Sequence, residues 1–157
     1  MTRAPAWSHP AWYAYPVGRL RFLAELRVRG VGAIQTRISH ADRKHRGGFQ
    51  VEFTLNVPGL PPRHVRIVFA GLGSVPAVYA DGPTESPHRY GDGSLCMWCP
   101  WDPETARWTR RDGAGALLGH ITAHLLREEW WRKTGEWIGD EAPHDSEEVG
   151  GLDGTTA

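Results

Sequence analysis

Lysine is almost missing from this chain: Lys44 and Lys133 are the only two, and arginine supplies the rest of its 18 basic residues. That scarcity fits a coding bias toward arginine in a GC-rich genome. It also suits a protein that carries an activated acyl group and does well with few amines of its own. Net charge is absent as well, with 18 acidic residues against 18 basic, which leaves no broad cationic face for nucleic acid. No run approaches the roughly 20 apolar residues that a bilayer crossing takes. The opening Met-Thr-Arg-Ala-Pro-Ala-Trp has no apolar signal core, so a cytoplasmic location is expected, with no membrane partner. There are no internal repeats, no second CxxC and no HExxH. Only two cysteines occur, Cys96 and Cys99, and in such a chain that spacing points to chemistry or metal before a structural disulfide.

What is present indicates one globular α+β domain. Hydrophobic residues make up 40% and charged residues 23% of 157 residues, enough for a modest core. Residues 1–14, rich in Ala, Pro and aromatics, read as an irregular lead-in. From Tyr15 to Arg29, Leu20, Leu23 and Leu26 recur at helical spacing with Phe22 beside them and Gly30 as a stop, predicting an amphipathic helix. This helix is expected to pack on a sheet, while its arginine face offers a docking surface as the second reading. Ala33–Ser39 is a plausible strand, and residues 40–48 form a polar turn. Phe49–Val57 alternates apolar and polar without a fault, the clearest strand signal in the chain. His64–Ala70 alternates again, and Pro76–Ala80 makes a short last strand. Short connections favour a four-stranded antiparallel meander with one face against a helix. Leu117, Leu118, Ile121, Leu125 and Leu126 define a second helix over about 112–133, with Asp112 placed to cap it. Gly135–His144 is a turn-rich coda, and the acidic, Gly-rich residues 145–157 are expected to be disordered.

Between the sheet and the second helix lies a long segment without strand signals, residues 81–108, and such loops usually carry function. Its centre is Pro87-His88-Arg89-Tyr90-Gly91-Asp92-Gly93-Ser94-Leu95-Cys96-Met97-Trp98-Cys99-Pro100-Trp101-Asp102. One histidine, a glycine-bracketed turn, both cysteines and two tryptophans fall within sixteen residues. Gly91 and Gly93 permit a close turn that would present Cys96 on a shallow surface.

This order of elements resembles the ubiquitin-conjugating enzyme fold. Asp92-Gly93-Ser94-Leu95-Cys96 matches the family's D-G-x-[IL]-C approach to its nucleophile, and His88, eight residues earlier, stands near the place of the family's His-Pro-Asn tripeptide. Pro76-Ala-Val78-Tyr79 resembles the strand before the loop, and Trp108 the tryptophan ahead of the next helix. The run from His88 through Trp108, with Gly135-Glu-Trp137 and Ala-Pro-His144, looks like the bacterial relatives of that family. The resemblance implies a UBC-like conjugating domain over 15–144 that accepts a ubiquitin-like protein from an activating enzyme as a thioester on Cys96 and passes it to a target amine. It implies no small-molecule cofactor, because ATP is used on the activating enzyme, and the bacterial relatives suggest antiphage defence. Arg89, Asp92, Gly93, Trp108 and His144 would support or position the loop. The family asparagine has no counterpart, and the spacing from Cys96 to Trp108 is longer than usual. His88 is then the first candidate to meet the oxyanion, with His144 second, and pinning the loop is the other reading of His88.

Three other readings stay open. A non-catalytic module that binds ubiquitin-like proteins could use Trp98 and Trp101 as a contact patch. Cys96-Met-Trp-Cys99 fits thiol–disulfide exchange, although Pro100 and Pro103 follow and no βαβ unit precedes. Zinc could be held by Cys99, His120 and His124, with Cys96 or His144 completing four ligands, since the two helical histidines lie one turn apart.

Overall fold

The computed structural model describes residues 12–39, 47–71, 75–99 and 102–139. Helix α1 spans Pro16–Val28, followed by strands β1 (Gln35–Ser39), β2 (Gly48–Leu55), β3 (Arg63–Ala70) and β4 (Ala77–Ala80), and helix α2 spans Gly113–Thr134. The strands form one four-stranded sheet in the order β1-β2-β3-β4, and every pairing is antiparallel. The expected α+β meander between two helices is what the chain builds. The polar turn at 40–46, Trp101, His144 and the tail lie outside the described residues. Among the described residues no helix is long and apolar enough to cross a membrane.

Alternation in the sequence becomes a two-faced sheet. Phe49, Val51 and Phe53 of β2 lie opposite Phe69, Ile67 and Val65 of β3, and Ile67 in turn opposes Val78 of β4. All seven are buried, so successive residues face alternately the core and the other side of the sheet. On that other face the Arg66 guanidinium lies 4.3 Å over the Tyr79 ring. Both helices cover the inner face, with Phe22 and Leu26 from α1 and Leu117, Ile121 and Leu125 from α2 in one core.

Three local expectations are corrected. Leu20 does not belong to the buried face of α1: it is 64% exposed, while Gly18, Phe22 and Leu26, each four residues apart, turn inward with Leu23. Leu126 of α2 is exposed too. Asp112 does not cap α2. Its carboxylate turns back to accept the Thr109 amide at 2.6 Å and the Thr109 hydroxyl at 3.1 Å. The second amide of α2 is instead capped across the fold, the Ala114 N–H donating to Glu25 Oε2 at 2.8 Å. Glu25 also accepts both Arg110 terminal nitrogens, at 3.1 and 3.2 Å. Burial alone would raise the Glu25 carboxyl, but the Ala114 amide and the Arg110 charge outweigh it and hold the group below its ordinary range.

The end of the lead-in also enters the core. Trp12–Ala14 form one 3-10 turn with Trp12 and Tyr13 buried. The Trp12 ring meets Phe69 at 4.9 Å and Phe22 at 5.3 Å, and the Tyr13 hydroxyl donates to the Gly71 carbonyl. Trp12 therefore plugs the end of the sheet with a ring that no periodicity announces.

Candidate functional site

The segment around Cys96 is a small, heavily pinned hairpin. The Tyr90 amide donates to the Ser94 carbonyl at 2.8 Å, the Gly93 amide to the Tyr90 carbonyl at 2.8 Å, and the Cys96 amide to the His88 carbonyl at 2.8 Å. Arg89 and Leu95 form the bridge between its two limbs. At the tip Gly93 has φ +85, a conformation that glycine adopts without a steric penalty. Asp92 fixes the turn: its Oδ1 accepts the Ser94 amide at 2.9 Å and the Ser94 hydroxyl at 2.6 Å, and Tyr79 donates to its Oδ2 at 3.1 Å. These bonds to Ser94 and Tyr79 lower the Asp92 carboxyl, against a small opposing effect of burial. Asp92→Ala is expected to cost about 1 kcal/mol, a modest figure because the site is exposed; a shift in the thermal melting midpoint reads it. The Leu95 amide joins the hairpin to the sheet by donating to Val78 at 2.7 Å, a backbone tie beside the Tyr79–Asp92 bond.

A buried ion pair ties the same hairpin to α2. Arg89 donates from Nε to Glu128 Oε2 at 2.9 Å and from Nη2 to Glu128 Oε1 at 2.8 Å, while Nη1 reaches the Ala80 carbonyl at 2.6 Å. The two side chains are 6% and 3% exposed. Gly82 makes room for the pair, since a Cβ there would come within 2.4 Å of Arg89 Nη2 and 2.6 Å of Glu128 Oε1. Burial by itself would raise the Glu128 carboxyl. His124, Arg89 and Ser86 act against it and bring it down to about 2. Arg89 is the stronger partner by geometry, because His124 Nε2 stands 3.8 Å from Glu128 Oε2, beyond hydrogen-bond distance. Glu128 is the residue that sequence reasoning missed. Its signal was there: a carboxylate on the stripe of Leu117, Ile121 and Leu125, at helical spacing from each.

The remaining candidates separate into two groups. His88 belongs to the hairpin and is 4% exposed; its ring lies against Trp137 at 4.0 Å, and Trp137 also meets the buried His124 at 5.3 Å. The coda therefore returns to cover the hairpin. Trp108, by contrast, is a core residue: fully buried, 6.0 Å from Phe69 and 6.4 Å from Phe22, with its indole N–H on the Gly113 carbonyl at 2.8 Å. His120 is exposed and faces Trp98 at 5.5 Å. The two helical histidines thus meet different rings, and among the described residues no three His, Cys, Asp or Glu side chains gather as a metal site.

Both thiols are free, and Cys96 is not displayed on a shallow surface as expected. Cys96 is 8% exposed and Cys99 5%. The turn brings Cys96 to a fixed place but leaves it sheltered. The Cys99 amide donates to Asp102 Oδ2 at 2.8 Å and the Asp102 amide returns to the Cys99 carbonyl at 3.0 Å. Burial, then the Asp102 carboxylate and Cys96, push the Cys99 thiol up, which disfavours it as a nucleophile. The Tyr90 hydroxyl reaches over this segment to donate to the Trp98 carbonyl at 2.9 Å.

A helix, a four-stranded meander, a loop that bears Cys96 and a second helix follow one another in the order that the sequence resemblance implied. The family model described as Type II CBASS E2 protein matches residues 27–145, a span that runs from the end of α1 through the coda. No curated protein and no solved structure matches the chain. With most of its length under one family model, the chain belongs to the Type II CBASS E2 proteins, a bacterial family of the ubiquitin-conjugating type that serves ubiquitin-like conjugation in antiphage defence.

Proposed function

We propose that Cys96 is the carrier cysteine: it accepts the C-terminus of a ubiquitin-like protein as a thioester from an activating enzyme and passes it to an amine. The observation that carries this reading is the fixing of Cys96 by its own amide on the His88 carbonyl, in a hairpin held to β4 by Leu95 and to α2 by Arg89. A nucleophile of a three-protein reaction has to be held by its scaffold, because its partners arrive one after the other. The Cys96 thiolate attacks the thioester carbonyl on the activating enzyme; the tetrahedral intermediate collapses and expels that enzyme's thiolate. In the second step a neutral amine attacks the new thioester, the Cys96 thiolate leaves, and the amine nitrogen gives up a proton. Since Cys96 is only 8% exposed, each transfer needs the loop over the sulfur to give way locally. His88 serves as a loop-positioning residue in this scheme, through its carbonyl and its ring on Trp137.

A charging assay tests it. Wild type, Cys96→Ser and Cys96→Ala are incubated with ATP and the activating enzyme and ubiquitin-like protein from the same cell. The expected result is an adduct of the wild type that dithiothreitol removes, a slower thiol-resistant adduct of the serine variant, and none of the alanine variant. No adduct on any of the three, with both partners shown to be active, would sink the carrier reading and favour a non-catalytic binding module.

A further inference from the structure

A side chain on the outer face of the sheet reaches the cysteine hairpin. Tyr79 follows the buried Val78 in β4, so its ring falls on the face away from the helices. Arg66 lies opposite it in β3, and the Arg66 guanidinium stands 4.3 Å over the ring, a cation–π contact that holds the ring in place. The Tyr79 hydroxyl donates to Asp92 Oδ2 at 3.1 Å. The other oxygen of the same carboxylate, Oδ1, takes the Ser94 amide at 2.9 Å and the Ser94 hydroxyl at 2.6 Å. Asp92 thus grips the sheet with one oxygen and the turn with the other.

The remaining ties of the hairpin act at its base. The Leu95 amide on Val78 and the Arg89–Glu128 pair both meet the line of the Arg89–Leu95 bridge, about which the hairpin is free to tilt. Tyr79 holds the tip, away from that line. His88 and Cys96 lie just beyond the bridge, joined by the Cys96 amide, so a tilt of the tip moves the nucleophile too. We propose that Tyr79 is a positioning residue of the acyl transfer, which through Asp92 sets the tilt of the hairpin and with it the angle at which the Cys96 sulfur meets the incoming thioester. This rests on the carrier reading of Cys96. Tyr79 keeps its proton and takes no part in bond making. Burial first, and then Asp92, push its phenol up against the effect of Arg66. The bonds from Ser94 and Tyr79 lower the Asp92 carboxyl against a small effect of burial, so donor and acceptor both persist at neutral pH. The bond is exposed and adds little to the stability of the fold. Its effect on rate is larger, because a reacting group misplaced by about 1 Å can lose roughly 100-fold.

The test is charging by the thioester-loaded activating enzyme, followed to kcat and KM, beside the thermal melt. Tyr79→Phe keeps the ring under Arg66 and removes the donor. It is expected to melt like the wild type and to keep its KM, with kcat about tenfold lower. Asp92→Asn is the conservative partner: its amide accepts from Ser94 through oxygen and donates to the Tyr79 oxygen through nitrogen, so kcat should stay within about twofold of the wild type. Asp92→Ala should lose at least as much as Tyr79→Phe, and combining the two should cost nothing beyond Asp92→Ala, since the bond is already gone. Iodoacetamide addition to Cys96, read by intact mass in a Cys99→Ala background where it is the only thiol, should be no slower in Tyr79→Phe, because a small reagent needs no fixed angle. An unchanged kcat in Tyr79→Phe would overturn the proposal, and so would losses that multiply in the double variant. A rise in KM alone would mark a direct contact with the partner, and a loss in Asp92→Asn equal to that in Asp92→Ala would make the charge, not the bond, responsible; either result overturns the role. A lower melt together with slower alkylation in Tyr79→Phe would reduce Tyr79 to a structural residue. A wild type that takes no acyl group from active partners would sink the carrier reading and this role with it. A wild type that charges beside an equally active Tyr79→Phe would sink the role of Tyr79 alone.

Discussion

Glu128→Leu is expected to cost about 3–5 kcal/mol, because it strands the Arg89 guanidinium without an anion in the interior. At this chain length that corresponds to a fall of roughly 8–15 °C in the melting midpoint. The magnitude follows from burial, since the two side chains are 6% and 3% exposed and bidentate, unlike the outer pair Arg132–Glu129, whose arginine is 54% exposed. Replacing both partners, Arg89→Met with Glu128→Leu, should restore much of the loss, as the desolvation of two charges goes with their attraction. Recovery stays incomplete because Nη1 of Arg89 also satisfies the Ala80 carbonyl. The double variant then separates two roles: melting near the wild type with poor charging would show that the pair positions the hairpin.

The same pair sets the acid limit of the fold. The Glu128 carboxyl is brought from an ordinary carboxylate value down to about 2. A depressed acid contributes stability that is present above its unfolded value and lost as pH falls through the folded one. The contribution is about 3 kcal/mol, in place at neutral pH and drained between roughly pH 5 and pH 2. Melting midpoints taken across that range should fall steeply in the wild type and less steeply in the double variant. A slope remains, because Glu25 is also held below its ordinary range by Ala114 and Arg110 against the effect of burial.

Local chemistry was legible in the sequence, and long-range pairing was not. The alternation in β2 and β3 survived into the fold because one face of each strand is buried against the core. The turn before Cys96 was legible for the same reason: Asp92, Gly93 and Ser94 settle it within three residues. Leu20 misled because α1 carries apolar residues around its girth, and Gly18 and Phe22, not Leu20, complete the four-residue spacing with Leu26. Asp112 looked like the cap of α2, yet the cap came from Glu25, 89 residues away from Ala114. Arg89 and Glu128 lie 39 apart, and neither declares its partner in its neighbourhood. Trp12 sits in a stretch without period and gains its place only from the rings that close around it.

His88→Ala is expected to cost about 2–4 kcal/mol and to slow charging, and the companion variant His88→Phe decides why. The alanine change removes a 4% exposed ring that lies 4.0 Å from Trp137, leaving a cavity beneath the coda. His88 also presents the carbonyl that holds the Cys96 amide at 2.8 Å, so a displaced backbone moves the nucleophile directly. Phenylalanine keeps the ring on Trp137 and removes both nitrogens. If His88 positions the loop, His88→Phe should melt within about 1 kcal/mol of the wild type and retain most of its charging and amide transfer. If an imidazole nitrogen meets the oxyanion, the phenylalanine variant should fold and charge but transfer to amine 100-fold or more slowly, the size expected on removing an oxyanion donor. The buried stack of His88, Trp137 and His124 favours the first outcome. A ring clamped between the hairpin and the coda is a support for the cysteine.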